Sequence, residues 1–178
     1  MATGALDTNG IWIYGEDDPA SPVSDLLNLG QDSVSDAVGD LKARVTTIEN
    51  AASAAWTPYT PSLVNLTLGN GTMTARYKRV GTVIHVMGII TWGSTTSMTN
   101  PVIGLPVTAS GLVSDRAPLG IAQFTDASAP SSQLGLARFW SGSTFVLYTP
   151  SGAMIAAAAP FTWAVSDSIG WNLTYEVA

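Results

Sequence analysis

Between residues 33 and 55 the apolar positions are Val34, Val38, Leu41, Val45, Ile48, Ala52 and Ala55, spaced alternately by four and three residues. This is the spacing of a heptad seam, narrower than the apolar face that a helix turns towards its own domain. With Val38, Val45 and Ala52 at a, and Val34, Leu41, Ile48 and Ala55 at d, the pattern predicts a helix whose stripe is met by other copies of the chain. From Trp56 the period changes. Short apolar runs follow, cut by Gly, Pro, Asn and Ser, and they predict strands over 62–68, 72–80, 82–92, 101–107, 119–125, 133–140, 144–149, 161–165 and 170–177. Asn70-Gly71 has the composition of a hairpin turn. The last run alternates, with Trp171, Leu173, Tyr175 and Val177 on one face and Asn172, Thr174 and Glu176 on the other. The run 82–92 does not alternate. Ile84, Val86, Ile90 and Trp92 share one face and Val83, Met87 and Ile89 the other, so both faces require cover. A neighbouring subunit can supply the second cover.

The number of chains in the seam has two indications. Val at a with Leu at d leans towards a dimer. The segment Arg44-Val45-Thr46-Thr47-Ile48-Glu49 points the other way. Arg44 falls at g and Glu49 at e, and the stretch resembles the Arg-h-x-x-h-Glu pattern of parallel trimeric coiled coils, where h is apolar. In that pattern the Arg packs over the core edge and pairs with the Glu of the next chain. The reading adopted is a trimer. The first 33 residues read as an irregular leader. Asn9-Gly10 forms a turn, and Ser24 to Gly30 reads as one capped helical turn. Ile11, Trp12, Ile13, Tyr14, Leu26, Leu27 and Leu29 are costly to leave in water and predict that the leader docks on another protein.

Composition supports a division of labour. Charged residues make up 11% of the chain, against an apolar content of 46%; roughly 25% charged is usual for soluble domains. So little charge favours surface hidden in an assembly. The net charge is −6. Nine of the thirteen acids lie in residues 1–50, facing only Lys42 and Arg44, while 51–178 is near neutral. No basic stripe exists to meet phosphates, so nucleic acid is not expected as a partner. No apolar run approaches the ~18 residues of a membrane span, and membrane insertion is not expected. The opening residues have neither the basic nor the apolar region of a secretory signal.

Groups suited to catalysis are few. Cysteine is absent, which removes thiolate nucleophiles and thiolate metal ligands. The lone histidine, His85, lies in the doubly apolar strand, without a nucleophile-elbow motif to serve. After residue 55 the acids are Asp115, Asp126, Asp167 and Glu176. A glycosidase needs two carboxylates flanking one bond, and only convergence of loop acids such as Asp115 and Asp126 would provide them. Glu16-Asp17-Asp18 lacks the alternate spacing of a calcium loop. Accordingly no enzyme activity, cofactor or metal is expected.

Two stretches resemble virion proteins. Residues 9–38, NGIWIYGEDDPASPVSDLLNLGQDSVSDAV, resemble the N-terminal leader of minor tail and fibre proteins of phages infecting Actinobacteria. Residues 56–97, with the Trp-Thr-x-Tyr-Thr-Pro opening and Gly-Asn-Gly-Thr further on, resemble the β domain that follows it there. The resemblance implies a homotrimeric virion appendage, anchored to other virion proteins through residues 1–33 and turning a β domain outward, with a host cell-surface glycan as candidate ligand. The expected fold is mainly β. A jelly-roll-like β-sandwich over 56–178 would follow a short parallel trimeric coiled coil over 34–55. Two alternatives share or modify this build: a head fibre or capsid decoration trimer, and a glycan hydrolase or lyase on the virion.

Overall fold

A computed structural model describes residues 5–13, 23–53, 55–110 and 116–177. The chain divides into two compact units, 1–53 and 54–178. In the first, β1 (Ala5–Leu6) pairs antiparallel with β2 (Trp12–Ile13), and α1 runs from Val23 to Ser53. The helix begins just after Pro22 in sequence and carries Asp25 in its first turn, both suited to a helix N-terminus. It begins ten residues before the 33 expected. The separate turn over Ser24 to Gly30 belongs to this helix, and Gly30 is an interior residue instead of a C-cap. A glycine there costs only ~0.5–1 kcal/mol, which Leu26, Leu27, Leu29 and Gln31, better helix formers, offset in part. Ala55 lies past the helix end.

The second unit is mainly β. Its strands are β3 (Thr57–Tyr59), β4 (Leu63–Thr67), β5 (Thr72–Val80), β6 (Val83–Thr91), β7 (Ser97–Gly104), β8 (Pro118–Asp126), β9 (Ser131–Ser141), β10 (Thr144–Tyr148) and β11 (Ser168–Glu176). All nine join in one antiparallel sheet, in the order β3-β5-β6-β11-β8-β9-β10-β7-β4. Two separate sheets were expected, and a single curled sheet is found. Its curvature follows from its edges. Eight antiparallel pairings separate β3 from β4, so these two edge strands run in the same direction. Only residues 60–62 separate them in the chain. Laid flat, nine strands would put the edges about 38 Å apart at ~4.8 Å per strand. The linking residues span ~14 Å at most. The sheet therefore curls into a half-barrel, and β3 and β4 act as one chain run that leaves β5 at one edge and joins β7 at the other. Asn65, in the left-handed region at φ 58°, bulges β4 where its register against β7 shifts.

The concave face forms the core. Ile84, Val86, Ile90, Phe124, Phe145, Leu147, Ile169 and Leu173 are fully buried there. Along β11 and the residue after it the expected alternation holds: Trp171, Leu173, Tyr175 and Val177 are buried and Asn172, Thr174 and Glu176 exposed. Tight hairpins close β5–β6 at Gly81-Thr82 and β9–β10 at Gly142-Ser143, both glycines having positive φ. The turn at Asn70 is not a hairpin, because the strands it joins, β4 and β5, do not pair. Instead Asn70 Oδ1 accepts from the backbone N–H of Thr95 at 2.9 Å and binds the β6–β7 loop. The strand expected over 161–165 is a loop. Its aromatic residues pack as rings, with Trp163 stacked on Trp92 at 4.5 Å and touching Phe161 and Phe124. The indole N–H of Trp163 donates to the Ala156 carbonyl.

Candidate functional site: three surfaces

The α1 seam is the first surface. Val34, Leu41, Val45 and Ile48 are 54%, 57%, 43% and 66% exposed, while Val38 is half-buried. Arg44 and Glu49, the g and e positions flanking the core, are also exposed. The side chain of Ala52 lies outside the described residues. A single helix gains nothing from four aliphatic side chains aligned in water.

The N-terminal hairpin is the second. Asp7 accepts at Oδ1 from the backbone N–H groups of Asn9 and Ile11, at 2.9 and 2.8 Å, and so shapes the turn between β1 and β2. The Asn9 amide then donates to the Ser35 carbonyl at 2.9 Å and to its hydroxyl at 2.8 Å. The Ser35 hydroxyl in turn donates to Asp7 Oδ2. This ring fixes the hairpin on α1, and Ser35 is 8% exposed. The Ser35 hydrogen bond, together with the backbone donor of Ile11, holds the Asp7 carboxyl below its ordinary range. Ser35 occupies heptad position e, beside the seam, and Val34, Leu41, Val45 and Ile48 stay exposed. Ile11 and Ile13, expected to dock on another protein, are half-buried on this hairpin. The side chains of Trp12, Leu26, Leu27 and Leu29 lie outside the described residues, as does all of Tyr14. No sequence pattern singled out Asp7, because its role depends on Ser35, 28 residues away.

The convex face of the sheet is the third. Two rows of outward side chains cross β6, β11, β8 and β9 in register: Ile89, Gly170, Gln123, Leu134, and then Met87, Asn172, Ile121, Leu136. Ile89 is 46% exposed, Ile121 55%, Leu134 65% and Leu136 40%. Gly170 has no side chain to raise the surface, and a shallow depression of about 280 Å³ lies over it. The 82–92 run, expected to be covered on both faces, is covered on its core face, while on the other Val83 and Met87 are half-buried and Ile89 is exposed.

The polar groups of the β domain hold backbone. Asp167 is fully buried, and its two carboxylate oxygens accept from the N–H groups of Ala127 and Ala164, at 2.9 and 2.6 Å. Asp126 accepts from the hydroxyl and N–H of Ser128 and from the N–H of Ala129, and the hydroxyl first of all lowers its pKa. Asp115 lies outside the described residues. His85 Nδ1 sits 3.1 Å from the Thr174 hydroxyl on the convex face. Among the described residues no three His, Asp or Glu side chains cluster as metal ligands would. Two cation–π contacts reach the surface, Arg76 on Trp56 at 5.2 Å and Arg116 on Trp140 at 5.8 Å. No family model matches the chain, nor does any curated protein or solved structure.

Proposed function

We propose that the protein is a structural component of a phage virion, a homotrimeric minor tail or short fibre protein whose β domain faces outward to attach to the host surface. The observation that carries this reading is the open seam: Val34, Leu41, Val45 and Ile48 lie exposed in heptad register, with Arg44 and Glu49 at g and e. In this reading three α1 helices form a short parallel coiled coil. The curled sheet plays the part of a jelly-roll-like sandwich, its two halves facing each other across one core. Residues 1–33, acidic and resembling phage tail leaders, join the trimer to other virion proteins, and an exposed part of the β domain meets a host cell-surface glycan. The carboxylates of Asp126 and Asp167 are taken up by backbone donors, which favours adhesion over hydrolysis.

A capsid-surface fibre of the same build would use the same seam. The test is to label the protein on intact particles and image the label. A label at the tail supports the reading, a label on the head transfers it to a head fibre, and no label on purified particles overturns both. Deletion of residues 1–33 is expected to leave a soluble trimer that is missing from virions.

A further inference from the structure

Among the described residues, no carboxylate pairs with Arg138, a half-buried cation on β9. Along the outward side of that strand it follows Leu136 and precedes Trp140, while Ala137 and Phe139 between them are buried. Its guanidinium lies 4.7 Å from the centre of the Tyr148 ring, and its Nε is buried with no hydrogen-bond partner. Tyr148 reaches it diagonally from β10, where Val146 pairs with Arg138 and Tyr148 with Leu136. A ring face attracts the positive charge but gives the N–H donors no oxygen to meet. Buried polar groups normally have partners, and a charge costs more than a neutral group to leave without one.

A second cation stands beside the first. Arg116 lies over the Trp140 ring at 5.8 Å. Trp140 is one outward position along β9 from Arg138, about 7 Å by strand rise. The two rings thus hold two planar guanidinium groups on one patch, which limits the side-chain entropy lost when a ligand binds. Like charges on one patch repel, and an anion between them relieves the repulsion. The described acids of the β domain are engaged elsewhere. Asp126 and Asp167 accept from backbone donors at the other end of the β8–β9 ladder, where Asp126 pairs with Ser131. Glu176 accepts from the Thr82 hydroxyl at 3.5 Å.

We infer that Arg138 and Arg116 form a subsite for an oxyanion carried by a saccharide, a uronic-acid carboxylate or a sugar phosphate. The exposed part of Trp140 then offers apolar surface to the adjoining sugar ring. An arginine fork matches either oxyanion with two parallel hydrogen bonds. The inference rests on the adhesive reading given above and narrows its ligand to an acidic glycan.

The full-length protein is passed over surfaces coated with polygalacturonate, its neutral methyl ester and dextran phosphate. Wild type should be held by at least one anionic polymer and not by the ester, and its preference between carboxylate and phosphate names the source. Arg138→Gln should weaken that binding at least about tenfold. Arg138→Lys keeps the charge and the stem but not the fork, so it should fall between the two and separate lost binding from lost folding. Arg79→Gln removes an exposed cation on β5 and should bind as wild type does. Wild type held by neither anionic polymer, or equally by the ester, overturns the subsite. So does Arg138→Gln that binds as wild type, or an equal loss in Arg79→Gln, which would mean diffuse attraction. Binding that appears only in Asp115→Asn means that the chain's own carboxylate fills the subsite, and this too overturns it. The adhesive reading is decided separately, by the label on intact particles.

Discussion

Trp171 of β11 lies across Gly88 of β6 on the core side of the sheet, so close that any side chain at 88 would collide with its indole ring. The register pairs the two residues directly, and the ring fills the space that a side chain on β6 would take. Gly88→Ala should therefore destabilise the β domain by about 1–3 kcal/mol, the usual cost of overpacking. Gly170, on the opposite face of the same strand pair, has no atom nearer than 3.9 Å to a built Cβ. Gly170→Ala should cost distinctly less. Chemical denaturation midpoints compare the two.

Asp167 fixes the loop before β11 to the turn after β8 through two backbone donors. Asp167→Ala would remove two hydrogen bonds to a charged group, at about 1.5–3 kcal/mol each, part of which water recovers because Ala127 and Ala164 are themselves exposed. A loss of roughly 2–5 kcal/mol is expected in thermal unfolding, with binding and assembly affected only through stability.

Tyr175 donates its hydroxyl to the Val107 carbonyl at 2.8 Å, and burial pushes its pKa up to about 12. Burial raises Tyr59 as well. A phenol whose folded pKa is raised favours folding below its unfolded value of about 10. That contribution is lost as the pH rises through about 12. Stability should fall over this alkaline window. Tyr175→Phe, which cannot ionise, should flatten the decline while lowering stability at neutral pH through loss of the hydrogen bond. Denaturation at stepped pH reads both.

Arg44 and Glu49 flank the seam at g and e. Exposed pairs of this kind contribute little each and are screened by salt. Arg44→Ala or Glu49→Ala should weaken assembly modestly at low ionic strength, and the difference from wild type should shrink in high salt. Concentration-dependent sedimentation measures it. An unchanged association constant at low salt would remove the pair from the interface.

Much of this fold could be read from local pattern. β5 covers the predicted 72–80, and the alternation of β11 fixes its buried face, because a period of two depends only on neighbours along one strand. The apolar residues on both sides of β6 were legible too, but the cover expected for the second face is not found, since Ile89 is exposed. What escaped depends on distant partners. A list of strands does not say whether they form one sheet or two, since pairings such as β4 with β7 are set by tertiary packing. β3 is three residues long and contains Pro58, too weak a signal to stand apart. Residues 161–165 read as a strand because Phe161 and Trp163 are apolar, yet their rings pack on Trp92 and Phe124 without a ladder. In the first unit, Gly30 has the chemistry of a helix stop and α1 runs through it. The seam was legible as a pattern, and Val34, Leu41, Val45 and Ile48 are exposed where other copies were expected to meet them.

The central claim is that this seam joins three chains. Sedimentation equilibrium of the full-length protein measures it directly. The account predicts three times 18.5 kDa for the wild type and a single chain for Val45→Asp combined with Ile48→Asp. A wild-type chain that stays monomeric at micromolar concentration, or a double variant that assembles unchanged, would contradict it.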